Sequence, residues 1–424
     1  MKTNIILILF LLPGLSSLAQ QLHQVEFPMK YKAYTEKVWQ SNLSYAAEKL
    51  NMNIAEAGIK AARLFNDPQL SLEYANNNDS HMQMGQGVSA EVSKTFSPGK
   101  RSARIDLAKS EKELNMALLE SYFHNLRADA TLNYLEAIKQ AELFRVKQNA
   151  YGNIRRLAEG DSIKYTLGKI TKVDATQSCL EAGIMQNELT QAQTDLYNSF
   201  ANLSLLTGVF SRDTLYLPEG SLRQKERIFI TPELLQTALT NRADLAAALK
   251  NSEVAQRSLK VVKRERNLDF DIAVGFNHNT EVKNEEAPAP RFNGMTVGLS
   301  VPLKFSNLNR GEVIAARYQI QQADLNYRQA ELEVQNSVMQ NLRQYLSLQE
   351  QVKRYDTGLL EHAKSVIDGK IYSYDRGETS LLEVLDAQRT YDDLRTGYIE
   401  TLYNYAASLV ELERSAGIWD ITVE

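Results

Sequence analysis

Four short segments of the chain alternate apolar and polar residues with a period of two. Leu70, Leu72 and Tyr74 alternate with Gln69, Ser71 and Glu73, and Val88, Ala90 and Val92 alternate with Ser89, Glu91 and Ser93. Phe270, Ile272, Val274 and Phe276 alternate with Asp271, Ala273, Gly275 and Asn277, and Met295, Val297, Leu299, Val301 and Leu303 with Thr296, Gly298, Ser300 and Pro302. Successive side chains of a strand point to opposite faces, so the pattern predicts strands at about 69–76, 87–97, 269–277 and 294–304. Each has one apolar face and one small or polar face. Each is near the ~9–11 residues that carry a tilted strand across a bilayer. Elsewhere the spacing is threes and fours. Val334, Val338, Leu342, Tyr345, Leu348 and Val352 form a narrow helical stripe. The pattern predicts one uninterrupted helix from about Arg310 to Ile367, on the order of 85 Å long. Helices this long with narrow stripes pack as coiled coils.

The pattern occurs twice. Gly160 and Gly168 recur as Gly369 and Gly377 at an offset of 209, and Thr207-Gly208-Val209-Phe210 recurs as Ala416-Gly417-Ile418-Trp419. Upstream the offset is 200, pairing Leu70-Ser71-Leu72 with Phe270-Asp271-Ile272. The reading is two copies of one unit, 20–222 and 223–424. Each runs helix, strand, loop, strand, very long helix, glycine-marked turn, long helix. The junction around Asp213 to Arg227, with Pro218 and Gly220, reads as a linker. The hairpin tips are expected at about 159–171 and 368–380. The polar stretches Ala75 to Gly85 and His278 to Gly294 read as external loops. Ser97-Pro98-Gly99 and Ser306 to Asn309 read as turns on the opposite side.

Targeting sharpens the meaning of the strands. Lys2, the apolar run Ile5 to Leu12 and Ser17-Leu18-Ala19 read as a signal peptide over 1–19. The apolar run is well short of the ~20 residues of a spanning helix. The single cysteine of the chain is Cys179, so no cysteine follows the apolar run to take an N-terminal lipid. Cys179 reads as a buried helix residue without a redox role. A soluble half-buried sheet shows the same alternation as a membrane strand. It needs a helical layer on its apolar face, and these helices are too long and too narrowly striped to supply one. An open sheet edge in lipid is prohibitively costly, and four strands do not close a barrel. The chain is therefore expected to oligomerise: a dimer gives eight strands and a trimer twelve. Side chains fill an eight-stranded barrel, so a conduit favours the trimer.

Composition narrows the function classes. Lys plus Arg number 48 against 52 Asp plus Glu, a net charge of −4, which argues against nucleic-acid binding through a basic field. At 43% hydrophobic and 24% charged residues, the chain is neither a polytopic helical membrane protein nor disordered. One Cys and five scattered His supply no metal framework. His81-Met82-Gln83-Met84 offers soft ligands on a loop, but a single His makes a weak site. There is no phosphate loop, nucleophile elbow or His-Glu zinc motif, so an enzyme is not expected and no cofactor is assigned.

Several motifs carry a family resemblance along nearly all of the mature sequence. They are Asn66-Asp67-Pro68-Gln69-Leu70, Phe96-Ser97-Pro98-Gly99-Lys100-Arg101, Gly298-Leu299-Ser300-Val301-Pro302-Leu303 and Asn309-Arg310-Gly311. The fifth is Gly377-Glu378-Thr379-Ser380-Leu381-Leu382-Glu383-Val384-Leu385-Asp386-Ala387-Gln388. With them the chain resembles the TolC-type outer-membrane efflux family, most closely its cation-efflux branch of CzcC- and CusC-like proteins. The resemblance implies a mainly α fold with a small β part: long coiled-coil hairpins and four transmembrane strands per protomer. It implies a homotrimer with a twelve-stranded barrel in the outer membrane of a Gram-negative bacterium and a twelve-helix periplasmic tunnel. It also implies a periplasmic adaptor and an inner-membrane pump of the resistance-nodulation-division type. The expected function is a passive exit duct, with heavy-metal cations as cargo. Efflux of drugs or small organic compounds and type I secretion are alternative uses. A poreless periplasmic coiled-coil scaffold is the reading from a different class.

The candidate functional residues lie near the tips. Glu383 and Asp386 are three residues apart and share a helix face. In a trimer each forms a ring of three carboxylates, which favours cations at a pore mouth and raises the acids' own pKa values. Ordinary helix-start acids stabilised by the dipole fit Glu383 equally well. The offset of 209 places Asp174 and Gln177 at the matching positions, so the second acid belongs to the second copy alone. From the resemblance, Asp174 and Tyr374 form a polar link that closes the channel. The family's basic partner falls on Thr379, with Arg376 as a substitute. Gly160, Gly168, Gly369 and Gly377 mark the turns expected to meet the adaptor.

Overall fold

The computed structural model describes residues 25–78, 83–209, 214–303 and 309–423. The segment read as a signal peptide, 1–19, lies outside these residues, as do His81 and Met82. The first half runs β1 (Val25–Lys30), α1 (Tyr31–Ser41), α2 (Leu43–Ala62), β2 (Gln69–Asn78), β3 (Gln83–Phe96), α3 (Lys100–Thr166) and α4 (Lys172–Leu206). The second half runs β4 (Thr214–Glu219), α5 (Thr231–Asn241), α6 (Ala243–Arg264), β5 (Phe270–Asn279), β6 (Phe292–Ser300), α7 (Arg310–Arg354), α8 (Leu360–Asp375) and α9 (Leu381–Ala416). The fold is mainly helical with a small β part.

The four alternating segments form one antiparallel sheet in the order β2-β3-β5-β6. Leu72 pairs with Ala90, Val92 with Val274, and Val274 with Val297, so the apolar positions share one face across the sheet. That face is bare. Leu72, Met295 and Val297 are 71%, 73% and 74% exposed. A sheet in water does not leave such a continuous apolar surface uncovered. The opposite face carries Ser71, Glu73, Ser89, Glu91, Ser93, Thr95, Asp271 and Thr296, with a Thr95 to Asp271 hydrogen bond across the strands. The strands reach further outward than expected, to Asn78, Gln83, Asn279 and Phe292. The outer edges of β2 and β6 have no partner strand among the described residues.

The long helices start at positive φ. Gly99 (76°) precedes α3 and Asn309 (52°) precedes α7. Glycine reaches this region without penalty, and asparagine tolerates it better than most residues. Residue 99 thus turns the chain sharply from strand into a helix of 67 residues. Its counterpart does not run straight. The uninterrupted helix expected over 310–367 is broken at Tyr355–Leu359, where Thr357 and Gly358 leave helical geometry and Gly358 sits at φ 99°. Arg223 fixes the break by donating to both Asp356 and Tyr398 at 2.7 Å. The helical stripe continues on either side of Gly358, so the hydrophobic pattern passes over the break.

The junction near 213–227 also differs from a plain linker. β4 lies within it and pairs in parallel with β1, in register from Val25 with Thr214 to Lys30 with Glu219. Neither strand alternates clearly, and each contains a proline, Pro28 and Pro218. A two-stranded ribbon leaves one side of each strand unpaired, which is where proline is tolerated. The Tyr134 hydroxyl lies 2.7 Å from the Met29 carbonyl and 2.6 Å from that of Glu219, tying the ribbon to α3. The main core sits at this level. It joins Tyr34 and Val38 of α1, Tyr134 and Leu135 of α3, Phe200 of α4, Val338 and Tyr345 of α7, and Leu409 of α9. A second, small core of Ile154, Ile367, Tyr374, Leu381, Val384 and Leu385 lies next to the tips.

Candidate functional site: the hairpin tips

Both long hairpins reverse in the same way. In the first, Lys169 N–H donates to the Lys164 carbonyl and Gly168 N–H to that of Tyr165, both at 2.9 Å. In the second, Glu378 N–H donates to Ser373 at 2.9 Å and Gly377 N–H to Tyr374 at 3.0 Å. This double bond pattern ends a helix around a left-handed residue, and Gly168 (70°) and Gly377 (78°) supply it. The tips are narrower than the expected 159–171 and 368–380. Gly160 lies inside α3 and Gly369 inside α8, so neither takes part in the reversal. A single left-handed glycine suffices to end each helix, which leaves the upstream glycine free to stay helical.

The following helices are capped by hydroxyls. Thr171 and Asp174 form a reciprocal capping box at the start of α4. Ser380 accepts from Glu383 N–H at 3.4 Å at the start of α9. Asp174 is thus engaged at its own helix end, with its carboxylate 2.7 Å from the Thr171 hydroxyl. Glu383 points its other oxygen to Lys370 Nζ at 2.5 Å, across the turn on α8. That ammonium holds the Glu383 carboxyl below the usual carboxylate range. Asp386 is exposed on the same helix, one turn on. Arg376 stacks 4.1 Å over the ring of Tyr372.

Tyr374 is buried, and its hydroxyl donates to Asp161 of α3 at 2.8 Å. The structure therefore pairs Tyr374 with Asp161, while Asp174 lines the same groove without bonding to it. Asp161 is fully buried, and its second oxygen has no hydrogen-bond partner among the described residues. Burial, then the Asp161 carboxylate, pushes the Tyr374 hydroxyl above the ordinary tyrosine range. Tyr372, two residues earlier on α8, has no such contact among the described residues. Lys164 completes the junction, 3.0 Å from Asp375 and 4.3 Å over the Tyr374 ring. Arg389 reaches Glu181 at 3.4 Å. The two hairpins of one protomer are thus joined next to their tips by three polar contacts, beside a cavity of about 580 Å³. Asp161 escaped the sequence reading because it lies inside α3, near its end, without a cap or a motif. Its only signal is a lone acid at a position where the second half has Lys370.

No group of three or more potential ligands capable of holding a metal occurs among the described residues. Of the soft residues near 81–84, Met84 accepts a hydrogen bond from Asn284 at 3.2 Å. Cys179, expected to be buried, is exposed on α4. It falls on the outer side of a narrow stripe whose inward positions are Ala175 and Ser178.

Comparison with known proteins agrees with this geometry. The family described as outer membrane efflux protein matches residues 234–418. The cobalt-zinc-cadmium resistance protein CzcC of Cupriavidus metallidurans is 24% identical, over 89% of this chain and 86% of its own. The outer membrane protein TolC of Vibrio cholerae is 22% identical, over 75% and 70%. Among solved structures, CusC superposes with a TM-score of 0.75 at 15% identity, covering 92% of each chain. The CmeC outer membrane channel of Campylobacter jejuni gives 0.76 at 16% identity, covering 91% and 85%. The tips, the bare apolar sheet face and these likenesses converge: residues 234–418 match the outer membrane efflux protein family, and nearly the whole chain shares the fold of solved channels such as CusC and CmeC.

Proposed function

We propose that three copies of the chain form an exit duct in the outer membrane. The observation that carries this is the sheet, with a lipid-ready face and two edges left unpaired among the described residues. Joining β6 of one copy to β2 of the next satisfies every edge and closes twelve strands around a wide interior. The helical hairpins then continue the barrel into the periplasm, with the tips directed towards an adaptor and an inner-membrane pump of the resistance-nodulation-division type. The matching order of elements in the two halves supports a duplicated unit, 20–222 and 223–424.

The cargo proposed is heavy-metal cations, and small organic compounds are the second reading. Charge supports the first. Among the described strand positions on the polar face, the charged residues are Glu73, Glu91 and Asp271, all acids. At the tip, Glu383 and Asp386 add exposed carboxylates on α9. In a trimer these become rings that draw cations. Likeness to a cobalt-zinc-cadmium resistance protein points the same way. The gate is the tip junction, in which Tyr374 and Asp161 tie the hairpins, Lys370 holds Glu383, and Asp174 and Arg376 lie alongside.

The test is conductance of the purified protein in a planar bilayer, with its oligomer mass measured in parallel. A trimer with small cation-selective currents is expected, and Glu383→Gln with Asp386→Asn should shift the reversal potential towards zero in a salt gradient. An unchanged reversal potential overturns the acidic rings. A monomer that never inserts overturns the duct and returns the scaffold.

A further inference from the structure

We propose that the junction of β3 and α3 is a binding site for the phosphodiester head group of an anionic glycerophospholipid. This rests on the reading that the sheet spans the outer membrane. The strand ends at Phe96, and the chain turns at Gly99 into α3, so this junction lies at the rim of the apolar band. A pocket of about 280 Å³ opens there. Its apolar wall is Leu64, Phe65 and Phe96, which are 70%, 68% and 47% exposed. Its polar wall is Lys94, Arg101 and Arg104.

Three observations specify the occupant. First, the cations are organised around the rings. The Arg101 guanidinium lies 3.9 Å over Phe65, and its Nε donates to the Arg63 carbonyl at 2.6 Å. This fixes the fork and leaves its terminal nitrogens without a hydrogen-bond partner among the described residues. Lys94 Nζ sits 5.8 Å from both the Phe65 and Phe96 rings. Second, none of the ion pairs among the described residues involves Lys94, Arg101 or Arg104. Lys100, in the same junction, behaves differently: it is buried and lies 2.7 Å from Asp269 and 3.7 Å from Glu265. The fold therefore neutralises the cation it buries and leaves three others facing one pocket. Third, the pocket is continuous with the lipid face. Lys94 occupies an outward position of β3, opposite Ile272, two residues from the strand end. A lysine there extends its ammonium to the head-group level while its stem stays in hydrocarbon. Leu70 and Leu72 of β2 continue the apolar surface beside it, where acyl chains would run.

Charge complementarity decides the chemistry. Three cations without an ion pair among the described residues, two of them over aromatic rings, fit an anion that also carries an apolar body. Phosphate groups favour planar, bidentate guanidinium donors. A zwitterionic lipid leaves the excess positive charge uncompensated, so an anionic lipid such as phosphatidylglycerol is preferred.

The experiment uses the full-length protein in nanodiscs, where insertion is scored separately by recovery of the assembled disc. Phosphatidylglycerol bearing a photoreactive head group is added at trace level to phosphatidylcholine. Label is expected to concentrate in residues 63–68 and 94–104 of the wild-type protein. Label spread evenly over the rim overturns the site, even in correctly inserted protein. In native mass spectrometry, Lys94→Gln with Arg101→Gln and Arg104→Gln should lower retention of phosphatidylglycerol by about five-fold per cation removed. Equal retention by variant and wild type overturns the proposal. Displacement of the lipid by millimolar inorganic phosphate alone overturns it as well, because the site then reads a free anion.

Discussion

The two long hairpins of the protomer share length, tip geometry and capping, yet only one of them is continuous. α3 runs unbroken from Lys100 to Thr166, whereas the equivalent path is divided into α7 and α8 by a left-handed residue at Gly358. The same half also carries the one fully buried acid of the upper core, Glu413, where the first half has Ser204. Similar patterns of apolar residues thus built two similar hairpins with different mechanical character. The first is a strut. The second is jointed, clamped above the joint by an ion pair and tied below it to the strut through Tyr374. On the proposed gate reading, the jointed hairpin is the arm expected to move.

The clamp offers the strongest way to break the comparison. Glu413 accepts from Arg227 through one oxygen and from the N–H groups of Asp420 and Ile421 through the other, at 2.9 and 3.1 Å. Glu413→Ala removes one partner of a buried pair and frees the terminal segment, so a loss of about 3–5 kcal/mol is expected. Ser204→Ala at the matching place removes a bond to the chain's own helix, from Ser204 to the Phe200 carbonyl. It should change stability by less than about 0.5 kcal/mol. Chemical denaturation in detergent checks both. Equal losses would mean that the halves are clamped alike.

The tie below the joint comes next. Tyr374→Phe leaves the buried Asp161 carboxylate without its donor, at a cost of about 1–3 kcal/mol. It should also raise the single-channel current, if the tie is the gate. Because the folded hydroxyl titrates above its ordinary value of 10.0, its contribution is complete below that pH and is lost as pH rises through the raised value. Wild-type currents should therefore hold steady up to about pH 10. Opening at neutral pH would assign the gate elsewhere.

The joint itself predicts opposite signs in the two hairpins. Gly358→Ala places a Cβ at φ 99° and should cost about 1–2 kcal/mol. Asn149→Ala, at the corresponding exposed position of α3, replaces a weak helix former with the best and should gain up to about 0.7 kcal/mol. A gain at both positions would show that the break is not maintained by the fold. Unfolding midpoints of the two variants, compared in one detergent, decide it.

What the residue pattern revealed divides along physical lines. Period-two alternation exposed all four strands of the sheet, because one face is apolar and bare and the other is polar. The tips were marked by Gly168 and Gly377, whose left-handed backbone is a local requirement. The break at Gly358 was missed because the stripe from Val334 to Val352 resumes beyond it, and periodicity is insensitive to one displaced turn. β1 and β4 were missed because each is short, contains proline and pairs only with its distant mate. Asp161 was missed for a similar reason. Its importance comes from a hydroxyl that is 213 residues away in sequence and 2.8 Å away in space.

The smallest expected effect concerns Glu383, and it separates the two tips by charge. The first tip closes its box with Asp174 on Thr171, entirely within one helix start. The second sends Glu383 across the turn to Lys370, so its carboxylate is stabilised by a neighbour on the other arm. With its folded pKa lowered from 4.5, Glu383 contributes above that value and loses the contribution as pH falls through the lowered one. Acidification below about pH 4.5 should therefore loosen the second tip, with little effect at pH 6. Both groups are exposed, so salt should weaken the same contact. Amide exchange of residues 376–383, followed from pH 7 to pH 3 in wild type and in Lys370→Gln, reads this directly. The wild type should reach the variant's exchange rate only at the acid end. If the two proteins exchange alike at pH 7, Lys370 does not brace the tip. The Ser380 cap alone then starts α9, and the second tip is as self-contained as the first.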